Sequence, residues 1–122
     1  MIIVETGSFV VTGTGFTTTP TATVIYRRIQ NFVSLFFPAT LIATSNATTF
    51  TVTGVPAELI PSVSQGHEPA MVINNAVRQL GAMSLDNAGL ITVYSTISDL
   101  SAGSWTAANQ KGLSNKQYSY HL

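Results

Sequence analysis

The sequence predicts an all-β fold, an antiparallel β-sandwich or jelly-roll-like knob. Thr and Ser supply about a quarter of the 122 residues, well above average usage. The Thr residues sit among Val, Ile, Phe and Tyr, which favour a pleated, half-buried backbone. Turn signals recur at about ten-residue spacing, as in sandwiches built from short strands. No stretch holds a 3.6-residue apolar period long enough to predict a helix.

In chain order, residues 8–12 (Ser-Phe-Val-Val-Thr) read as a short strand, and residues 1–8 as an N-terminal attachment strand or arm. Gly13, Thr14 and Gly15, then residues 17–20 ending in Pro20, read as turn and loop. Residues 21–29 form the clearest strand. Ala22, Val24, Tyr26 and Arg28 alternate with Thr23, Ile25 and Arg27, so both faces carry apolar groups and both are expected to be covered. Gln30-Asn31 predicts a two-residue hairpin turn, with Asn tolerating positive φ. The return strand is residues 32–37, with Phe32, Ser34 and Phe36 opposite Val33, Leu35 and Phe37, and Pro38 ends it. Residues 49–53 alternate strictly, with Phe50 and Val52 inward. Residues 54–69 hold Pro56, Pro61 and Pro69, which forbid a long helix but allow one turn at residues 57–60. Residues 70–74 read as a strand, and residues 76–85 as another with an irregularity near Gly81. Asp86-Asn87-Ala88-Gly89 is a turn between two apolar runs. Residues 90–95 are the next strand and residues 99–103 a loop. Residues 104–111 read as extended toward Gly112, and residues 117–122 close the chain with Tyr118 and Tyr120 alternating. The total is about eight strands, in one domain over residues 1–122.

Composition narrows the function. Charged residues are 8% of the chain, with five Lys/Arg against five Asp/Glu. Soluble domains average about 25%. This balance excludes nucleic-acid binding through a basic patch. The absence of Cys excludes disulfide scaffolds, thiol catalysis and Cys-zinc sites. A mean hydropathy of +0.32 is the reverse of the disorder signature. The uncharged run over residues 29–57 is broken by Gln30, Asn31, Pro38, Ser45 and Asn46, so no membrane insertion is expected. Met1-Ile2-Ile3-Val4 meets Glu5 at once and lacks the basic start of a signal peptide. Asn46-Ala47-Thr48 fits a glycosylation sequon, a triplet that arises readily in a Thr-rich chain. Ten charges cannot coat a surface of roughly 6,000 Å². Neutral Thr, Ser, Asn and Gln must cover it, and other chains must bury part of it.

The ordered pattern resembles the C-terminal head or tip domains of tailed-phage and prophage tail-fibre proteins. Gly7-Ser8-Phe9 with Gly13 is similar to the opening strand and turn. Residues 23–35, from Thr23 through Tyr26, Arg27, Arg28, Ile29, Gln30 and Asn31 to Leu35, are similar to the v-x-Y-x-r-i-g-n-x-V-t-L hairpin, with Gln30 where Gly is usual. Thr44-Ser45-Asn46 through Phe50, then Gly54-Val55-Pro56-Ala57-Glu58-Leu59-Ile60-Pro61, are similar to the tSN-s-t-f and G-l-P-a-e-l-r-P segments, with Ile60 for a commoner Arg. Residues 87–93 resemble the d-G-t-i-t-f turn and strand. Lys111-Gly112-Leu113 with Tyr118-Ser119-Tyr120 resembles the closing t-K-G-i and i-s-Y-x-l. The resemblance spans most of the chain and implies a homotrimeric knob on the virion exterior, used for host attachment or as an accessory structural subunit. Fibre tips follow a long shaft, whereas Met1 begins almost at the domain, so a separate decoration or head-fibre subunit is a second expectation.

The catalytic inventory is thin. His67 beside Glu68 is the sole adjacent acid–His pair, in a Gly/Pro-flanked loop where solvated side chains are the ordinary state. Glu5, Glu58, Asp86 and Asp99 are scattered, and Asp86 is better explained as a turn former. No enzymatic activity and no cofactor are expected, and no metal site is assigned. His67 or His121 near a threefold axis would become three imidazoles, but surface or packed states are the more ordinary ones. Trp105, among Ser104, Thr106, Asn109 and Gln110, suits sugar stacking, against the reading that it caps the core or an interface. Tyr118 and Tyr120 read as structural. Arg27 and Arg28 point to opposite faces, one of them available to a carboxylate of a neighbouring chain. The ligand-binding candidates are Trp105, Asn109, Gln110, His67 and Glu68. The expected partners are two further copies of the chain, other virion proteins and a host cell-surface glycan, with multivalent binding through loops at one end, residues 54–69 and 99–112. A glycan-degrading enzyme would instead need two carboxylates in a cleft, roughly 5–10 Å apart.

Overall fold

The computed structural model of the chain describes residue 2 and residues 4–122. Ten strands follow one another: β1 Val4–Thr14, β2 Thr21–Ile29, β3 Phe32–Phe37, β4 Ile42–Thr44, β5 Thr51–Thr53, β6 Glu68–Asn74, β7 Val77–Leu85, β8 Ile91–Tyr94, β9 Gln110–Leu113 and β10 Lys116–His121. Among the described residues, one 3-10 turn, Ala57–Leu59, interrupts them. All pairings are antiparallel, in the order β10-β3-β2-β1-β5-β8-β7-β6-β9-β4. The sheet folds over a single core. Val11, Val24, Val33 and Leu35 from one half meet Phe50, Val52, Val72, Met83, Leu85, Ile91 and Val93 from the other, all buried. The accessible surface is 5976 Å², in line with the roughly 6,000 Å² that a monomer of this mass presents.

The alternation in β2 is realised as read. Ala22 and Val24 are buried, while Thr21, Thr23 and Ile25 are exposed. In β3, Val33, Leu35 and Phe37 face inward, and Phe32 and Phe36 are exposed. The β2–β3 hairpin turns at Gln30-Asn31, as expected, but the positive φ belongs to Gln30 (55°). The Asp86 turn also forms. Its Oδ1 accepts the backbone N–H groups of Ala88 and Leu90, both at 2.9 Å. Gly89 supplies the required φ of 88°.

Four expectations need correction. The strand over residues 8–12 is the middle of the longer β1, and residues 4–8 of the expected arm pair with Ile25 to Ile29 of β2 inside the sheet; Met1 and Ile3 lie outside the described residues. β4 escapes a reading of local pattern because it is three residues long and follows Pro38 closely. Residues 104–109 are loop, and only Gln110–Leu113 extends. β7 also runs without irregularity at Gly81. That glycine serves close approach: a Cβ there would collide with the Tyr94 carbonyl and the Val72 side chain.

The long segment after β5 is anchored from beneath. Tyr120 Oη donates to the Leu59 carbonyl at 2.7 Å, and Tyr118 Oη to the Gly66 carbonyl at 3.3 Å. Leu59 is fully buried, and the Gln65 N–H donates to the Leu85 carbonyl. Both tyrosines are therefore structural pegs on the inner face of β10. Burial holds both hydroxyls above their ordinary pKa. Tyr118 is pushed to about 12, with Glu68 adding to the effect. Tyr120 is raised further, with Tyr118 adding to its shift.

Candidate functional site

The loops at one end of the fold are tied together by Lys111. This side chain is fully buried. Its Nζ donates to the carbonyls of Gly15 (2.6 Å), Thr49 (2.7 Å) and Ala47 (3.3 Å). Aromatic rings surround it: Phe16 at 4.6 Å, Phe50 at 5.8 Å and Trp105 at 5.9 Å. Three carbonyl dipoles and the negative ring faces satisfy the ammonium where no carboxylate reaches it. Burial nonetheless pushes its pKa down to about 8. The β1–β2 loop, the β4–β5 loop and the start of β9 thus share one clamp.

Around this clamp lies a neutral polar rim. The β6–β7 hairpin turns through Asn75 (φ 52°) and Ala76 (φ 63°), the mirror-image turn that fits strand twist. Asn109 (φ 61°) donates from Nδ2 to Asn75 Oδ1. Asn74 Oδ1 accepts the Thr106 N–H at 3.0 Å, and the Gln110 carbonyl accepts the Ala76 N–H at 2.9 Å. Ser45 Oγ donates to the Thr106 carbonyl at 2.7 Å, and Asn46 Nδ2 to the Phe16 carbonyl at 3.0 Å. Among the described residues, three of the four non-glycine residues with positive φ, Asn75, Ala76 and Asn109, meet here. Strained backbone of this kind persists only where surrounding contacts hold it.

The five candidate ligand-binding residues fall in two places. Asn109 and Gln110 are exposed on this rim. Trp105 is close by in the chain but 3% exposed, so it is not an open stacking face. Its Nε1–H donates to the Val93 carbonyl at 2.8 Å, and its ring meets Phe50 edge-on. The polar neighbours of Trp105 in the chain suggest exposure, but the indole plugs the core instead. Glu68 and His67 lie at the opposite end of β6 from Asn74, about 20 Å away at 3.3 Å per residue. There Glu68 pairs with Lys116 at 2.7 Å, and His67 rests against the Tyr94 ring at 4.9 Å. Sequence reasoning missed Asn74 and Asn75; the Asn-Ala turn was the signal, and Ala in place of Gly concealed it.

Several of the remaining ionisable groups are engaged locally. Tyr26 Oη donates to Glu5 Oε1 at 2.8 Å, and this bond, with a contribution from burial, raises the phenol pKa. Asp99 Oδ1 accepts the Ser101 N–H. His121 sits against Phe32 with ring centroids 5.1 Å apart. Among the described residues, no three of His, Asp and Glu gather as metal ligands, and no helix is long and apolar enough to cross a membrane.

No family model and no curated protein matches the chain. Among solved structures, the fold is similar to the reovirus attachment protein sigma1, determined in complex with alpha-2,3-sialyllactose. The TM-score is 0.61 at 13% identity, over 99% of this chain and 66% of that chain. The fold of this chain is therefore one that a viral attachment protein also uses.

Proposed function

We propose that the chain is a bacteriophage virion protein, a homotrimeric tail-fibre-tip-like knob that attaches the particle to a host-surface glycan without chemically altering it. The observation that carries this reading is the likeness in fold to a viral attachment protein over nearly the whole chain. It agrees with the ordered resemblance to tail-fibre tips. The rigid rim of Asn75, Thr106, Asn109 and Gln110 is the surface proposed to meet sugar hydroxyls. Uncharged amides and hydroxyls at fixed positions suit such a ligand. Individually weak sites on three copies would add through avidity.

The test is binding of the purified chain to immobilised glycans and to host cells. Wild type is expected to bind a subset of the glycans, releasing no sugar. Asn75→Ala with Asn109→Ala is expected to weaken binding at least tenfold while keeping the folded circular dichroism spectrum, with a melting temperature a few degrees lower because Ala tolerates positive φ less well than Asn. Undiminished binding by the double variant overturns the rim as the site. Sugar release overturns the non-enzymatic reading, and failure to bind any glycan or host cell overturns attachment.

A capsid-decoration, head-fibre or tail accessory subunit is the second reading. It is favoured by the exposed apolar groups on the outer strand faces, among them Val10, Ile25, Met71 and Leu80. Labelling the chain in intact particles separates the two. A distal position supports attachment, and burial among virion proteins supports architecture.

A further inference from the structure

The outer face of β10-β3-β2-β1 is laid out in rows across the strands. Ile25 pairs with Phe36, which pairs with Gln117. Arg27 pairs with Ser34, which pairs with Ser119, and the two serine hydroxyls bond at 3.0 Å. Ile29 pairs with Phe32, which pairs with His121. Val10 continues the face beside Thr23. Val10 is 60% exposed, Ile25 58%, and Phe32 and Phe36 about 40%. Nine paired residues each of β1 and β2 and six each of β3 and β10, at 4.8 Å strand spacing and 3.3 Å rise per residue, give a footprint of roughly 475 Å². That is somewhat over half of the about 800 Å² per partner in stable complexes.

A second apolar face lies on the other half of the sheet. Met71 pairs with Leu80, and both are exposed. The Ile97 N–H donates to the Leu80 carbonyl, which sets the exposed Ile97 and Leu100 beside them. The turn that carries these residues is closed by a bridge between Thr96 and Asp99. Arg27 and Asp99 are exposed and have opposite charge. Neither forms a salt bridge among the described residues, where Lys116–Glu68 is the ion pair found. The first face thus carries Arg27, whereas the second carries Asp99 together with Arg78, which lies two residues from Leu80 on the same face of β7 and donates to Ser114 Oγ at 3.0 Å; Arg27 and Asp99 are the oppositely charged pair that a contact between the faces could bring together.

We propose that copies of this chain associate heterologously. The β10-β3-β2-β1 outer face of one copy covers the Met71–Leu80–Ile97–Leu100 face of the next, Arg27 lies opposite Asp99, and three such contacts close a ring. The proposal deepens the trimeric part of the reading above and is independent of glycan binding. Two different patches of complementary charge are what a head-to-tail contact uses, whereas a twofold dimer needs one self-complementary patch.

Sedimentation at micromolar to 100 µM protein tests it. Wild type is expected at three times the 12.9 kDa chain mass. Ile25→Glu and Leu80→Glu, both at exposed positions, are each expected to run as folded monomers with an unchanged circular dichroism spectrum. Mixed in equal amounts, they are expected to form a heterodimer, because each retains the face the other lacks. Arg27→Glu and Asp99→Arg are each expected to weaken association at least tenfold, and the double variant to regain it. A wild-type monomer overturns both the ring and the trimeric reading. A wild-type dimer, or failure of the mixture to pair, overturns the heterologous contact. A trimer untouched by Ile25→Glu and Leu80→Glu overturns these faces while leaving the trimer and the glycan reading standing.

Discussion

Lys111 is a buried cation held by carbonyls and aromatic rings rather than by a carboxylate. Removing a charge's solvent shell costs several kcal/mol unless other groups replace it. Three carbonyls do so here, and the same contacts fasten three loops. The depressed pKa gives stability a definite pH dependence. Below about pH 8 the amine is protonated in both folded and unfolded chains, so it contributes no slope. From about pH 8 toward its ordinary 10.5, the unfolded chain keeps a proton that the folded chain has lost. Stability should then rise by up to about 1.4 kcal/mol per pH unit. Tyr118 and Tyr120 act in the opposite sense. Unfolded tyrosines ionise near pH 10 while the folded ones keep their protons, so stability falls above that. Chemical denaturation across pH 7–11 should therefore give a maximum near pH 10. Lys111→Met should abolish the rising limb and keep the falling one. It should also lower stability at pH 7 by about 2–4 kcal/mol, since the carbonyls of Gly15, Ala47 and Thr49 lose their shared donor. A flat wild-type profile from pH 8 to 10 would contradict the assignment. The burial of Lys111 could not be read from Gln110-Lys111-Gly112, because its partners lie more than sixty residues away in sequence.

At the scale of elements, legibility followed locality. β2, β3 and the hairpin between them could be read because alternation and a two-residue turn are local signals. The Asp86 turn was legible for the same reason, since its hydrogen bonds span four residues or fewer. β4, by contrast, is three residues long and is defined by its partner β9, far along the chain. Trp105 has polar chain neighbours, yet its environment is set by Phe50 and Val93. The rim shows the same divide. Asn109 and Gln110 were identified from their residue types, whereas Asn75 joins them only through the pairing of β6 with β9. The β6–β7 turn remains open to a direct check. Ala76 holds a left-handed φ of 63° with a Cβ that this region disfavours by roughly 1–2 kcal/mol. Ala76→Gly creates the Asn-Gly pair best suited to this turn. It should raise unfolding free energy by about 1 kcal/mol, and Gln30→Gly should do the same for the β2–β3 hairpin. Ala76→Val should lower it. Urea titration measures all three, and a destabilising Ala76→Gly would show that the turn's backbone is not strained.

For the whole molecule, ten charges in 122 residues leave a surface that Thr and Ser coat in part. Thr21 and Thr23 on β2, and Thr14 and Thr51 across β1 and β5, show this neutral coat. It does not extend over Ile25, Phe32 and Phe36, or over Met71 and Leu80. If further copies cover those groups, folding and assembly are one equilibrium, and stability depends on concentration. For a trimer, each tenfold increase in chain concentration favours the folded state by about 0.9 kcal/mol per chain. At this chain length that should raise the melting temperature by roughly 3–5 °C. The expected outcome is a rise of that size between 10 and 100 µM for wild type, measured by scanning calorimetry. Ile25→Glu, which puts a carboxylate on the proposed contact, should melt lower and at one temperature at both concentrations. If wild type also melts at one temperature throughout, the chain folds independently of other copies, and the neutral Thr and Ser coat alone keeps it dissolved.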